Sequence, residues 1–207
     1  MTEWLRKGIT TGLATLLIAL ALPTSPGVSP TAVAAPNAVA LLPVRTPAAA
    51  APRGRLAVGD SLMVSVTPRM RRTGFRVHAA VGRQFSTAPG VLRSYGAALP
   101  RQVVVELGTN GTVRAADCRA VVRTAGTHRR VFLVTPRVPR SWQQANLATL
   151  RACDRRYRAS RVRIIDWYGH SAGHRRWFAA DRIHLTSAGQ RAFARLIDDA
   201  VDEHGLR

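Results

Sequence analysis

The 207-residue chain is long enough for one well-buried domain and too short for two ordinary ones. Its formal net charge of +20 comes almost wholly from arginine, with Lys7 the only lysine. A balance of that sign excludes a neutral, field-free surface and attracts polyanions, while the rival reading is a solvated arginine-rich face with no dedicated partner.

Residues 1–34 read as a secretory signal peptide. Arg6 and Lys7 precede an apolar run from Gly8 to Leu22, and the small-residue triplet Ala32-Val33-Ala34 follows, which places cleavage after Ala34. The run of about fifteen residues is shorter than the roughly 20 that span a bilayer, which favours cleavage over a retained anchor. The alternative is retention, because Ala38-Val39-Ala40 offers a second site and Pro36 can interfere with processing at the first. Residues 35–53, nearly all Ala, Pro and Val, read as a disordered Ala/Pro-rich tether. Cleavage removes Glu3, Arg6 and Lys7, a net +1, and leaves +19 of the +20. Export turns the polyanion reading away from nucleic acid and toward anionic cell-wall polymers or phospholipid headgroups.

From residue 54 to 207 the pattern is one catalytic-size domain in which strands and helices alternate. Leu56–Val58 is a short apolar strand ending at Gly59, and Leu62–Arg72 has helical spacing interrupted by Pro68. Further strands are expected at Phe75–Val81, Val103–Leu107, Val131–Thr135 and Val162–Ile165. Helices are expected at Thr87–Ala98, Val113–Ala125, Trp142–Tyr157 and, behind a Thr186 N-cap, Ser187 to about Val201. Such alternation implies right-handed crossovers and a five-stranded parallel sheet covered on both faces, a three-layer α/β/α sandwich of flavodoxin-like type. Ligands of such folds bind beyond the carboxyl ends of the strands. Ser61, Gly82 and Asn110 each follow a predicted strand, so their loops converge on one rim.

The chemistry of that rim is nucleophilic. A serine hydroxyl needs a base to take its proton as it attacks. His184 is the preferred base for Ser61, because Asp181 three residues earlier can fix its tautomer and stabilise the imidazolium. His78 lies in a predicted strand, His128 in a loop and His204 at the terminus. His170 and His174 are four apart, but Gly173 argues against a zinc-binding helix, so no metal is expected. Asp60 is read as holding the turn by bonding backbone amides, and Asp166 as a second, less favoured candidate for the orienting acid. Arg83, Arg137 and Arg140 flank the rim and are candidates for binding an anionic substrate, against plain surface charge. Trp142, Trp167 and Trp177 are candidates for stacking on sugar rings, Trp177 foremost, against core packing. Cys118 and Cys153 fall in neighbouring predicted helices, and in an oxidising compartment a lone pair reads as a disulfide.

Gly59-Asp60-Ser61-Leu62, Gly108-Thr109-Asn110-Gly111 and Asp181-Arg182-Ile183-His184, in this order, resemble the SGNH, or GDSL-type, hydrolase family. Gly82 is the best match for the family's glycine block. Ala80-Val81-Gly82-Arg83-Gln84, Val134-Thr135-Pro136-Arg137-Val138-Pro139 and Ile165-Asp166-Trp167 are similar to the SGNH domain that ends many bacterial peptidoglycan O-acetyltransferases. The resemblance implies an oxyanion hole of the Ser61 and Gly82 backbone N–H groups and the Asn110 side-chain amide. Two departures from the broad family stand out: Arg83-Gln84 follows Gly82, and Gly111 stands where many members have Asp.

The expectation is a secreted, monomeric serine esterase or acyltransferase without cofactor, acting through an acyl-enzyme on O-acyl groups, with O-acetyl on cell-wall glycan as the leading substrate. The acetyltransferases it resembles carry a multi-span membrane domain, and its lack in this sequence tilts the expectation to hydrolysis. The rivals are a broad-specificity lipolytic or aryl esterase and a non-catalytic basic module that adheres to the wall.

Overall fold

In a computed structural model of the chain, residues 54–204 are described; side chains of 158–160 stand outside that description. The chain divides into two units, Met1–Thr46 and Pro47–Arg207, and the described residues all belong to the second. The signal peptide and tether expected over residues 1–53 lie outside the described residues.

The sheet has five strands: β1 (Arg55–Gly59), β2 (Phe75–Ala79), β3 (Gln102–Glu106), β4 (Arg130–Val134) and β5 (Val162–Ile165). They lie in the order β2-β1-β3-β4-β5, and every pairing is parallel. Burial on both faces explains why the inner strands β1, β3 and β4 read as apolar runs, while edge strand β2, Phe-Arg-Val-His-Ala, keeps a polar alternation. Within the inner strands β1, β3 and β4 the side chains still alternate between two cores, whereas edge strand β2 gives Phe75, Val77 and Ala79 to one of them alone. Val58, Val105 and Leu133 join one; Ala57, Val104 and Phe132 join the other.

Among the described residues six α-helices flank the sheet: α1 (Ser61–Arg72), α2 (Ala88–Ser94), α3 (Ala115–Ala125), α4 (Gln143–Arg161), the single turn α5 (Trp167–His170) and α6 (Ser187–His204). Leu62, Met63, Val66 and Met70 of α1 share one core with Phe193, Ile197 and Val201 of α6. The latter recur at four-residue spacing, as a helix laid on a sheet requires, and each fully buried side chain contributes about 1.5–3 kcal/mol. Leu92 of α2, Val121 and Val122 of α3 and Leu150 of α4 fill the other core. The expected three-layer architecture is therefore the observed one.

Several elements differ in extent from expectation, α3 starting at Ala115 rather than Val113 and α4 running to Arg161 rather than Tyr157; three further differences have a local cause. Pro68 does not interrupt α1, which runs unbroken to Arg72; the carbonyl it leaves without a donor belongs to Val64, on the exposed side of the helix. The helix expected over 87–98 is shorter, because 3-10 turns at Phe85–Thr87 and Gly96–Ala98 flank α2, the second beginning at Gly96 with φ of 50°. Strand β2 ends at Ala79, two residues early, where a turn closed by Arg83 N–H donating to the Ala80 carbonyl peels the chain away. Thr186 caps α6 as expected, its Oγ1 accepting the Gly189 N–H at 3.3 Å. Cys118 on α3 and Cys153 on α4 form a disulfide, Cα–Cα 6.4 Å.

Candidate active site

Gly59 lies beside Ala79 on β2 and Glu106 on β3, at the point where the strand order reverses about β1 and the following loops diverge to leave a crevice. Asp60 is the N-cap of α1, its Oδ1 accepting the Leu62 N–H at 3.0 Å. The buried Glu106 carboxyl receives the Asp60 N–H at 3.3 Å and also the Met63 N–H. Thus the amides on either side of Ser61 are taken by carboxyl groups, whereas no acceptor among the described residues takes the Ser61 N–H itself. It sits at the positive end of α1, open to a developing anion. A Cβ at Gly59 would lie 2.2 Å from the Met63 Cβ and 2.7 Å from Glu106 Oε2, so only glycine fits this close strand-to-helix turn.

The base comes from a turn that organises itself. Asp181 Oδ1 accepts the N–H groups of Ile183 at 2.9 Å and His184 at 3.0 Å, an Asx turn of the kind short polar side chains make. Its Oδ2 lies 2.6 Å from His184 Nδ1, and His184 Nε2 lies 3.1 Å from Ser61 Oγ. An ionised carboxylate only accepts, so Nδ1 carries the proton and Nε2 is left to accept from the Ser61 hydroxyl. The hydrogen bond from His184 holds the Asp181 carboxyl down at about 2, helped by the Ile183 amide. Both side chains are about half exposed, 54% for His184 and 45% for Asp181, so the pair faces solvent and any incoming substrate. Between them Arg182 takes a φ of 60°, the only positive value at a non-glycine among the described residues.

Asn110 reaches the same place from β3. Its Nδ2 donates to Asp60 Oδ2 at 3.2 Å and, more weakly, to the Arg83 carbonyl at 3.4 Å. The side-chain amide is therefore aimed across the nucleophile turn. Gly82 lies in the turn after β2, exposed and with φ of 73°. The structure thus brings Ser61, His184, Asp181 and Asn110 together and sets Gly82 in the adjoining loop.

The other candidates form no hydrogen bond with the triad and are held by other partners. Arg83 donates to the His78 carbonyl at 2.5 Å. Arg137 donates through Nε and one terminal nitrogen to the Tyr168 carbonyl, at 3.2 and 2.6 Å, and lies over the Tyr168 ring. Trp177 stacks on His174 at 3.8 Å and on Trp167 at 5.7 Å between ring centroids, so a sugar would have to displace a protein ring to stack there. Trp167 is fully buried. Asp166 accepts Thr135 Oγ1 at 2.8 Å and the Gly169 N–H at 3.1 Å, which makes it a support for the loop after β5. Among the histidines, His78 has its basicity lowered by burial and then by Arg83.

Two supporting residues escaped the sequence reading. Glu106 is completely buried and its carboxyl is pushed well up by burial and by the Asp60 charge; Asp60 itself is raised by burial, against the Leu62 amide bond. The one signal was a lone acid closing an otherwise apolar strand. Asn146 on α4 is also fully buried. It accepts the Val113 N–H at 2.7 Å and donates to the carbonyls of Gly108 at 3.0 Å and Gly111 at 2.9 Å, fixing both ends of the loop that carries Asn110. Its signal was an amide on the apolar face of a helix.

No family model matches the chain. The chain is 34% identical over 155 residues to the O-acetyltransferase OatA of Staphylococcus aureus, covering 72% of this chain and 25% of that protein. It is 29% identical over 153 residues to the peptidoglycan O-acetyltransferase OatA of Listeria monocytogenes, with 72% and 24% covered. The chain thus spans about a quarter of the length of these curated relatives. Among solved structures, the C-terminal catalytic domain of the Streptococcus pneumoniae peptidoglycan O-acetyltransferase A superposes with a TM-score of 0.66 at 21% identity, covering 74% of this chain and 94% of that one. A family 3 carbohydrate esterase from Clostridium thermocellum gives 0.59 at 13% identity, covering 73% and 97%. At these identities the structural likenesses speak for the fold.

Proposed function

Because the chain belongs to the SGNH, or GDSL-type, hydrolase family and is an SGNH-family enzyme, we propose that it is an exported serine esterase or acyltransferase acting on O-acetyl groups of cell-wall glycan. The observation that carries the reading is the unbroken chain Asp181 Oδ2, His184, Ser61 Oγ, at 2.6 and 3.1 Å. The names of the relatives, which transfer O-acetyl groups and in part do so on peptidoglycan, support the choice of acyl group and polymer.

In this reading His184 Nε2 takes the Ser61 proton as Oγ attacks the acetyl carbonyl carbon. The carbonyl oxygen, now negative, is met by the Ser61 N–H, by the Asn110 amide as it exchanges its weaker bond to the Arg83 carbonyl for one to the oxyanion, and by the Gly82 N–H, with the α1 terminus behind them. As the intermediate collapses, the sugar oxygen departs with the proton from His184, and the acetyl group stays on Ser61. Water, activated by the same imidazole, then releases acetate; a sugar hydroxyl in its place would complete a transfer. Asp181 keeps Nδ1 protonated and steadies the imidazolium at both steps. No metal or cofactor enters the scheme.

Fluorophosphonate labelling followed by adduct mapping, together with acetate release from O-acetylated peptidoglycan or xylan, tests the reading. The label is expected on Ser61, and Ser61→Ala should lose both label and acetate release. A label elsewhere, or acetate release that survives Ser61→Ala, would overturn it. Preference for long acyl chains across a panel of p-nitrophenyl esters would replace the acetyl-glycan substrate with a lipid-like one.

A further inference from the structure

The turn that holds Asp181 and His184 is also one wall of a cleft of about 730 Å³, to which it contributes Ala179 and Arg182. Arg137 comes from the loop after β4, and Tyr168, His174 and Arg175 from the segment after β5. None of the lining residues is acidic. In a chain this rich in arginine, an unpaired guanidinium alone distinguishes nothing; three that converge on one concavity beside a triad do. Among the described residues none of the three forms an ion pair, whereas Arg55, Arg114 and Arg151 elsewhere do. Arg137 is also held in place by the Tyr168 carbonyl and ring, so its position is set before a ligand arrives while its charge stays uncompensated, since a carbonyl accepts without neutralising. Arg182 lines the cleft from a backbone fixed by the Asx turn.

We infer that this cleft is an anion subsite, seating a carboxylate or phosphate carried by the polymer whose acyl group reaches Ser61. The site would select an acidic glycan over a neutral one of the same backbone length, because an exposed guanidinium cluster without counter-charge gains most from a ligand that brings one. Position beside the triad rests on the esterase reading; anion binding does not.

Binding is therefore read on the Ser61→Ala protein at about 0.15 M salt, where charges more than about 8 Å away are screened. The probes are an oligogalacturonate, a glycerol-phosphate oligomer and a neutral xylo-oligosaccharide. Both anionic probes, or the one that matches the polymer, should bind more tightly than the neutral one, and the stronger of the two identifies carboxylate or phosphate. Arg137→Gln/Arg175→Gln should weaken that binding by roughly tenfold or more, the size of one charge-assisted hydrogen bond discounted for exposure. Arg119→Gln/Arg123→Gln removes the same charge from α3, away from the cleft, and should leave it within about twofold. With Ser61 intact, the kcat/KM ratio for acetylated polygalacturonate over acetylated xylan should fall in step. Equal weakening in the two double variants, or equal affinity for neutral and anionic probes, overturns the subsite in favour of diffuse surface charge. If Arg137→Gln fails to fold, Arg175→Gln alone, on an exposed side chain, carries the same comparison. Absence of ester hydrolysis would leave the binding result standing, and absence of selective binding would leave hydrolysis standing.

Discussion

Asp181→Asn separates the orienting role of the acid from its role in shaping the turn. In the native arrangement Oδ1 faces two backbone donors, Ile183 and His184 N–H, and Oδ2 faces His184 Nδ1. Asparagine keeps its carbonyl oxygen toward the two amides, which places its NH2 against Nδ1. The imidazole meets that donor only by moving its proton to Nε2, the atom 3.1 Å from Ser61 Oγ, and there it can no longer take the hydroxyl proton. In the serine-protease template the same exchange lowers kcat about 10⁴-fold. Here the carboxylate is 45% and the imidazole 54% exposed, so water competes for Nδ1 and restores some of the working tautomer. The expected loss is about 10²- to 10³-fold in kcat, equivalent to about 2.7–4 kcal/mol, with KM for p-nitrophenyl acetate little changed. Unfolding should shift by less than about 1 kcal/mol, because an exposed ion pair contributes no more than that. A kcat within about threefold of wild type, under 1 kcal/mol, would refute the assignment of Asp181. A larger loss from Asp166→Asn than from Asp181→Asn would refute it as well.

Asn110→Ala should lower kcat by about 10²- to 10³-fold on the same ester; an unchanged kcat would remove it from the oxyanion hole. Glu106→Gln should fold and retain activity near wild type, since burial favours the neutral carboxyl and the amide matches its shape. The sign of its pH dependence follows. A raised acid binds a proton in the folded state that the unfolded chain releases above its usual 4.5, so wild-type stability declines as pH rises from there. The stability of Glu106→Gln relative to wild type should thus increase in urea unfolding as pH rises from about 5, and a difference constant with pH would contradict a raised Glu106. Removing the disulfide with Cys118→Ser/Cys153→Ser should cost roughly 2–4 kcal/mol for a closed loop of this size, read as a lower Tm, with kcat per folded molecule retained because the bridge joins α3 and α4 away from the triad.

What was legible in the sequence was whatever the chemistry writes locally. Gly59-Asp60-Ser61 sits on a strand-to-helix junction, and Asp181 and His184 are near enough that a single turn joins them, so both patterns survive without coordinates. The sheet was legible because its buried inner strands are apolar runs separated by helical stretches; the order β2-β1-β3-β4-β5 was not, since crossover handedness leaves the direction of each step along the sheet open. Glu106 and Asn146 were not legible either, since one is a lone acid closing an apolar strand and the other an amide among the glutamines that open α4, and the meaning of each depends on partners 46 and 33 residues away. Trp177 misled for a related reason: a tryptophan before the triad turn looks available, and only the fold reveals His174 and Trp167 against its ring. Pro68 misled because its penalty depends on whether the abandoned carbonyl meets water, which a linear pattern does not record.

The segment from Ala179 to His184 is closed on itself: the Ala179 N–H donates to the His184 carbonyl at 2.8 Å, the Arg182 N–H to the Ala179 carbonyl at 3.0 Å, and Asp181 ties its own two successors. Six residues therefore settle which way the ring points and which nitrogen is bare, with no help from the sheet. The hydroxyl is posed by an unrelated part of the chain, and the two halves meet across a single gap. Lengthening the connections that flank this cassette would change how far it stands from its target while leaving its internal chemistry as it was, so drift in such connectors registers as a change in one spacing rather than as the loss of a functioning base.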